Sequence, residues 1–303
     1  TAAIYSVRGA ASTLVLGGTK WGGQLMLTTE VDNFPGFPDG IQGPELMEKM
    51  KAQAVRFGVE FKLEDVTSVN FSSEIKELTT SGGVYKARTV IIATGAETRW
   101  LGVPGEEKLR GRGVSSCAPC DAPFFKDKKV AVIGGGDAAM EEALVLTKYA
   151  TEVYMIHRKD SFKASQAMQQ RVLGSEKIKV IWDTEVKEFL GGEKLEKLKL
   201  FNSKTNEESE MDFQGAFVAI GHLPSTNIFS GKVDLDEKGY VKRITGEEAD
   251  KPEGYRMRTS MPGVFVAGDV RDYHYRQAIT AAAYGCMAGM EALRYLDKNS
   301  QAW

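Results

Sequence analysis

The segment 129–139, KVAVIGGGDAA, constrains this chain more than any other. Lys129 to Ile133 is a short apolar run that reads as a strand buried on both faces. Gly134, Gly136 and Ala139 then fall on the G-x-G-x-x-A spacing with which a strand turns into a helix beside a bound dinucleotide. A chain with that junction is directed toward a parallel α/β layer, since a helix after the strand is the crossover that parallel strands need, and the helix start leaves backbone N–H groups open to phosphate. Just upstream, Cys117-Ala118-Pro119-Cys120 is a CxxC pair. Either motif alone is weak evidence, but their adjacency points to a nucleotide-linked dithiol oxidoreductase.

At 303 residues the chain exceeds the usual size of a single core, so two domains are expected. A net charge of -2, with Lys and Glu interspersed, offers no basic face for nucleic acid. No apolar run approaches the roughly 18 residues of a membrane span, and the apolar start lacks the pattern of a signal peptide. Three cysteines do not make a disulfide framework, which fits a reducing, cytoplasmic setting. Nor do they suggest zinc: the remaining candidate ligands, Cys286, His157, His222 and His274, are scattered, so no metal is expected. Cys286 reads as a small core residue.

In chain order, Thr1 to Arg8 reads as a helix stopped by Gly9, and Ser12 to Leu16 as the next strand. That order is the second half of a βαβ unit, so a strand and a glycine loop of roughly 10 to 15 residues are expected to precede Thr1. Residues 17–42 read as a long Gly- and Pro-rich loop of functional type. Gly43 to Phe57 reads as an amphipathic helix burying Leu46, Met50, Ala54 and Phe57. Val59–Lys62, Val66–Phe71, Ile75–Thr80 and Val84–Arg88 read as a small antiparallel sheet. Thr89–Ala93 is a buried strand ending at Thr94-Gly95, and a polar linker follows from Glu97.

Beyond the glycine loop, Asp137–Tyr149 reads as a helix and Thr151–Ile156 as a strand. A carboxylate about 20 residues past the glycines would bind the ribose 2′-hydroxyl, whereas cations there accommodate a 2′-phosphate. His157-Arg158-Lys159 and Lys163 occupy the place, which favours NADPH over NADH; a solvated basic turn is the alternative. Strands are expected at 180–181, 187–190, 195–201 and 217–220, with a polar turn at 203–210. Gly221 to Pro224 reads as a second linker. Gly263–Ala267 reads as a buried strand, and Gln277–Leu296 as a long helix with small residues on one side.

Seven blocks in order, GGQLMLTTEVDNFPG, VIIATGA, CAPCD, GGGDAAMEEA, HRKDSFKAS, AIGHLP and AGDVRDYHYRQAITAAAYGCMA, resemble the low-molecular-weight thioredoxin reductase family along essentially the whole chain. The resemblance implies two Rossmann-like dinucleotide-binding domains, the NADPH domain (98–221, carrying the CxxC) inserted into a discontinuous FAD domain (1–97 and 222–303). It implies FAD and NADPH as cofactors, thioredoxin or a thioredoxin-like protein as partner, a homodimer, and an inserted domain that rotates on its two linkers. It assigns Gln24, Asn33, Asp269, Arg276, Gln277 and Ala278 to FAD, and Arg158, Lys159 and Lys163 to the 2′-phosphate. The wider cofactor set is Gly23, Thr29, Val66, Ala93, Thr94, Gly95, Gly134, Gly136, Asp137, Ala138, His157, Ile220 and Gly268.

By the same resemblance NADPH reduces FAD, the flavin reduces the Cys117–Cys120 disulfide, Cys120 faces the flavin and Cys117 attacks the partner disulfide. Asp121 is the acid that manages the thiolate protons. Pro119, where the family more often has Thr or Val, and Ala122-Pro123, where it usually has Gly, are departures that remove no reacting group. Alternatives on the same scaffold are a peroxiredoxin-linked or ferredoxin-fed reductase. From another class comes a non-catalytic, NADP-binding redox sensor.

Overall fold

The computed structural model describes residues 1–28, 30–246 and 254–298. The chain divides into two compact units: Thr98–His222, and Thr1–Glu97 together with the chain from Leu223.

The unit Thr98–His222 is built on a five-stranded parallel sheet in the order Val114–Ser115, Gly215–Val218, Lys129–Ile133, Glu152–Ile156, Ile178–Ile181. Lys129–Ile133 sits at its centre, paired in register from Val130 with both Val153 and Gly215. The period of two along that strand explains its unbroken apolar run. Val130 and Val132 enter a core shared with Ala139, Met140, Ala143 and Leu146 of the helix Asp137–Leu146. Ala131 and Ile133 enter a second core with Val186, Phe189 and Leu198 of a three-stranded antiparallel sheet.

That antiparallel sheet, Thr184–Leu190, Lys197–Asn202 and Glu207–Asp212, corrects the expected polar turn at 203–210. Glu207–Asp212 is an exposed edge strand whose side chains pair across to the next, Glu210 with Lys197 and Glu208 with Lys199. The turn itself is shorter: Asn202 Oδ1 accepts the N–H groups of Lys204 and Thr205 at 2.9 and 3.0 Å. The linker expected from Glu97 is also shorter. Trp100, Leu101 and Val103 pack on the second core, Leu109 is fully buried, and the buried Glu106 carboxylate accepts the N–H groups of Leu101 and Gly102.

In the other unit, Leu14–Leu16 pairs in parallel with Glu60–Lys62, and Val90–Ile92 in parallel with Val264–Val266. Glu60–Lys62 is therefore not part of the antiparallel sheet, which holds Val66–Asn70, Lys76–Thr80 and Gly83–Ala87. Inside the 17–42 stretch, a short 3-10 turn at Gly23–Leu27 precedes the antiparallel pair Glu30–Val31 and Ile41–Gln42. The helix Gly43–Arg56 buries Leu46 and Ala54, but Phe57 lies outside its core face, beneath the guanidinium groups of Arg8 and Arg56. The long helix Ala278–Lys298 buries Gly285, Ala288, Gly289 and Ala292. A Cβ at Gly289 would stand 2.7 Å from the Ala2 carbonyl, so the helices Ala2–Arg8 and Ala278–Lys298 meet nearly backbone to backbone.

The chain crosses between units twice, at Ala96–Thr98 and His222–Pro224, and these two short strands are hydrogen-bonded neighbours. Among the described residues no helix is long and apolar enough to cross a membrane.

Candidate active site and cofactor sites

Cys117 and Cys120 form a disulfide on the turn that opens the short helix Ala118–Asp121. Core packing fixes its place: Ala118, Ala122 and Phe125 lie in the same cluster as Ala139, Met140 and Ala143, so the dithiol turn is seated on the helix that follows the glycine loop. Both cysteines are half-buried, within reach of solvent. Burial pushes the Asp121 carboxyl above the ordinary carboxylate value, and a 2.5 Å hydrogen bond from Ser115 Oγ partly offsets the rise. Ser115 Oγ in turn accepts the Cys117 N–H at 3.1 Å. Sequence reasoning missed Ser115, because a serine two residues before a cysteine carries no pattern of its own.

The glycine loop has the form its spacing implies. A Cβ at Gly134 would stand 2.5 Å from the Ala219 carbonyl and 2.8 Å from Ala139 Cβ, so strand and helix meet closely. A Cβ at Gly136 would meet nothing within 4 Å, leaving open space before the helix N-terminus that a pyrophosphate fits. The basic segment is tied to this loop. The Gly135 carbonyl accepts the N–H groups of Lys163 and Ala164 at 2.8 and 3.2 Å, and Asp137 Oδ1 accepts from Ser165 N and Oγ. Arg158, Lys159 and Lys163 are exposed, whereas His157 is buried. Its Nε2 lies 3.0 Å from the Ser161 carbonyl, and its ring sits against Gly135, where a Cβ would collide with it. Burial lowers the His157 pKa, so it serves as a neutral floor for the loop.

In the second unit, Asp269 Oδ1 is buried without a hydrogen-bond partner among the described residues. Burial, reinforced by the charge of Asp272 and opposed by Arg276, pushes the Asp269 carboxyl up to about 6. A buried acceptor lacking a donor fits a hydroxyl-bearing ligand such as the ribityl chain of a flavin. Asp272 builds the turn between it and the last helix by accepting the N–H groups of His274, Tyr275 and Arg276. This residue escaped the sequence reading, although an Asp accepting the N–H groups two and three residues on is a recognisable turn signal. At the start of that helix, Asn33 Nδ2 donates to Gln277 Oε1 at 3.1 Å, joining two of the expected flavin ligands. Gly23 and Gln24 lie in the Gly23–Leu27 turn, Val66 begins a strand, and Ala93 to Gly95 follow the Val90–Ile92 strand. Thr29 lies outside the described residues.

A carboxyl with a raised folded-state pKa contributes stability that is complete below the unfolded value, ordinarily 3.8, and lost as pH rises through about 6. In cofactor-free protein, Asp269→Asn is therefore expected to recover up to about 3 kcal/mol at neutral pH and little at about pH 4. Urea unfolding at the two pH values measures it, and a gain of equal size at both would contradict the assignment. The same variant is expected to hold flavin roughly tenfold or more weakly, through loss of a charge-assisted hydrogen bond.

A family profile described as pyridine nucleotide-disulphide oxidoreductase matches residues 1–285. The chain belongs to that family. It is 52% identical to the thioredoxin reductase of Streptomyces coelicolor over 298 residues, covering 98% of this chain and 90% of the relative. It is 48% identical to the thioredoxin reductase of Mycolicibacterium smegmatis, over 98% of this chain and 92% of the relative. The crystal structure of thioredoxin reductase from Streptococcus pyogenes superposes with a TM-score of 0.90 at 39% identity, over 98% and 94% of the two chains. The α/β architecture expected from the sequence is the one this family has.

Proposed function

We propose that the chain reduces the disulfide of thioredoxin, or of a thioredoxin-like protein, with electrons drawn from NADPH through FAD. The observation that carries this reading is a solvent-accessible disulfide seated on the helix of a dinucleotide-type glycine loop. Bound flavin supplies the conversion between hydride donation and dithiol chemistry. The chain's residues do the rest. Asp269, with Asn33 and Gln277, holds the flavin; the Gly134–Gly136 loop holds the pyrophosphate of NADPH; Arg158, Lys159 and Lys163 bind its 2′-phosphate.

Once the pair is reduced, the Cys117 thiolate attacks one sulfur of the partner disulfide, and the partner's other sulfur leaves and takes a proton. Cys120 Sγ then attacks Cys117 Sγ, which re-forms the Cys117–Cys120 bond and releases the partner as a dithiol. Asp121, kept protonated to higher pH by burial, is the proton donor to the leaving thiolate. The family resemblance also supports a homodimer and a cytoplasmic setting, and the net charge of -2 gives nucleic acid no foothold.

An anaerobic absorbance titration tests the reading. Flavin bands should bleach with NADPH at far lower concentration than with NADH, followed by stoichiometric reduction of added thioredoxin; flavin indifferent to NADPH would refute it. Replacing Arg158, Lys159 and Lys163 by Ala is expected to raise the KM for NADPH by roughly tenfold per residue, each removing a charge-assisted contact, with the KM for NADH nearly unmoved. Equal losses for both nucleotides would remove these residues from the 2′-phosphate site.

A further inference from the structure

The Ser115 hydroxyl stands between the dithiol turn and its acid. It accepts the Cys117 N–H at 3.1 Å, donates to Asp121 Oδ2 at 2.5 Å, and has no other partner among the described residues. A serine accepting the N–H two residues on is a common local turn. Such a turn needs only the oxygen; here the hydroxyl proton is used as well, and it goes to a carboxyl. Ser115 is itself buried and ends the strand Val114–Ser115, paired with Gly215–Val218, so the sheet fixes where the hydroxyl stands.

A hydroxyl carries one proton. Because Ser115 gives it to Oδ2, that oxygen is the acceptor of the carboxyl, and a protonated Asp121 holds its own proton on Oδ1. Oδ1 makes no hydrogen bond among the described residues, so the proton there is tied to nothing else in them. When Oδ1 gives it up, the Ser115 bond becomes charge-assisted, roughly twice as strong as before. The bond therefore favours the product of proton donation over its starting state, which is the kind of interaction that speeds a step.

The titratable groups on the elements packed against this turn have other partners or are exposed. Glu142 accepts the buried Ala118 N–H, Asp137 accepts from Ser165, and Glu141 faces solvent. The 3-10 turn Ala122–Phe125 and the strands Val114–Ser115 and Gly215–Val218 carry none. The thiols of Cys117 and Cys120 exist only in the reduced pair. Burial and the opposing Ser115 bond set how tightly Asp121 holds its proton.

We propose that Ser115 is a positioning residue for proton delivery: it leaves the transferable proton on Asp121 Oδ1 and stabilises the carboxylate formed when that proton goes to the departing sulfur of the partner. In that step the bond from Cys117 Sγ to one partner sulfur forms, the partner's S–S bond breaks, and the Oδ1 proton moves to the leaving sulfur. The inference rests on Asp121 being the acid.

The experiment reduces the dithiol of flavin-loaded protein with dithiothreitol, desalts it, mixes it with oxidised thioredoxin, and follows thioredoxin thiols through a single turnover across pH. Ser115→Ala is expected to lower the plateau rate about tenfold and to move the pH at which the rate falls upward, because Asp121 without its donor holds the proton more tightly. Ser115→Thr keeps the hydroxyl and should restore both. In an Asp121→Asn background, Ser115→Ala should cost no more than about twofold further. A lowered rate with an unmoved pH dependence, or a full tenfold loss on top of Asp121→Asn, would overturn the proposal and leave Ser115 a turn residue only. Where Ser115→Ala does not fold, Ser115→Val, which matches Thr in shape and lacks the hydroxyl, is compared with Ser115→Thr for the same two changes. Failure of the underlying reading looks different: Asp121→Asn by itself would leave the rate and its pH dependence unmoved, which overturns both.

Discussion

Cys117→Ser is expected to abolish thioredoxin reduction, by roughly 10⁴-fold or more, the scale on which loss of a covalent nucleophile is felt. A serine hydroxyl at neutral pH is no substitute for a thiolate, because its far higher pKa leaves almost none of it ionised. NADPH should still bleach the flavin in this variant, since the residues proposed to hold the nucleotide and the flavin do not include Cys117. Cys120→Ser is expected to fail differently. Its Cys117 attacks the partner but cannot be released, so a mixed disulfide with thioredoxin should accumulate and be visible on a non-reducing gel. If Cys117→Ser traps the partner and Cys120→Ser does not, the two roles are reversed.

Asp121→Asn is expected to lower kcat by about 10²- to 10³-fold, the range associated with loss of a general acid. Burial raises the Asp121 pKa, so its acid form persists above the ordinary carboxylate range and is lost as pH rises through the raised value. Wild-type turnover should fall across that window, and the Asn variant should be flat there because it has no proton to lose. The stability effect has the opposite sense from that of an ordinary carboxylate. Folded Asp121 contributes stability only in the acid range, so the Asn variant should be no less stable than wild type at neutral pH. A variant both inactive and strongly destabilised would point to a structural role instead.

Much of the unit Thr98–His222 was legible because its signals are local. Lys129–Ile133 is bounded at both ends as the apolar run implied, and the glycine spacing anticipated the helix start; the close approach at Gly134 emerges only in the structure. Partner choice was harder to read. Glu60–Lys62 looks like its antiparallel neighbours in sequence but pairs with Leu14–Leu16, a choice made by tertiary packing. Glu207–Asp212 is almost wholly polar, so a hydrophobic pattern could not reveal an edge strand held by cross-strand ion pairs. Within the dithiol turn, the cysteines and Asp121 announce themselves by residue type. Ser115 and Glu142 do not, because their effect depends on which backbone N–H they meet in space.

The side-by-side linker strands carry a consequence for how the chain is assembled during synthesis. Arg99 N donates to the Gly221 carbonyl and Ser225 N to the Gly95 carbonyl, each at about 3 Å, so the insert begins and ends at one spot. All its strand partners lie between those ends, and it can close while the rest of the chain is still being made. Its host must wait: among the described residues Val90–Ile92 finds its strand partner only in Val264–Val266, and the helix Ala2–Arg8, which packs on Ala54 and Val59, gains its close neighbour Ala278–Lys298 last. The unit that contributes the first residues is therefore the last to finish folding, and its proposed flavin ligands Asn33 and Gln277 come together only at the end.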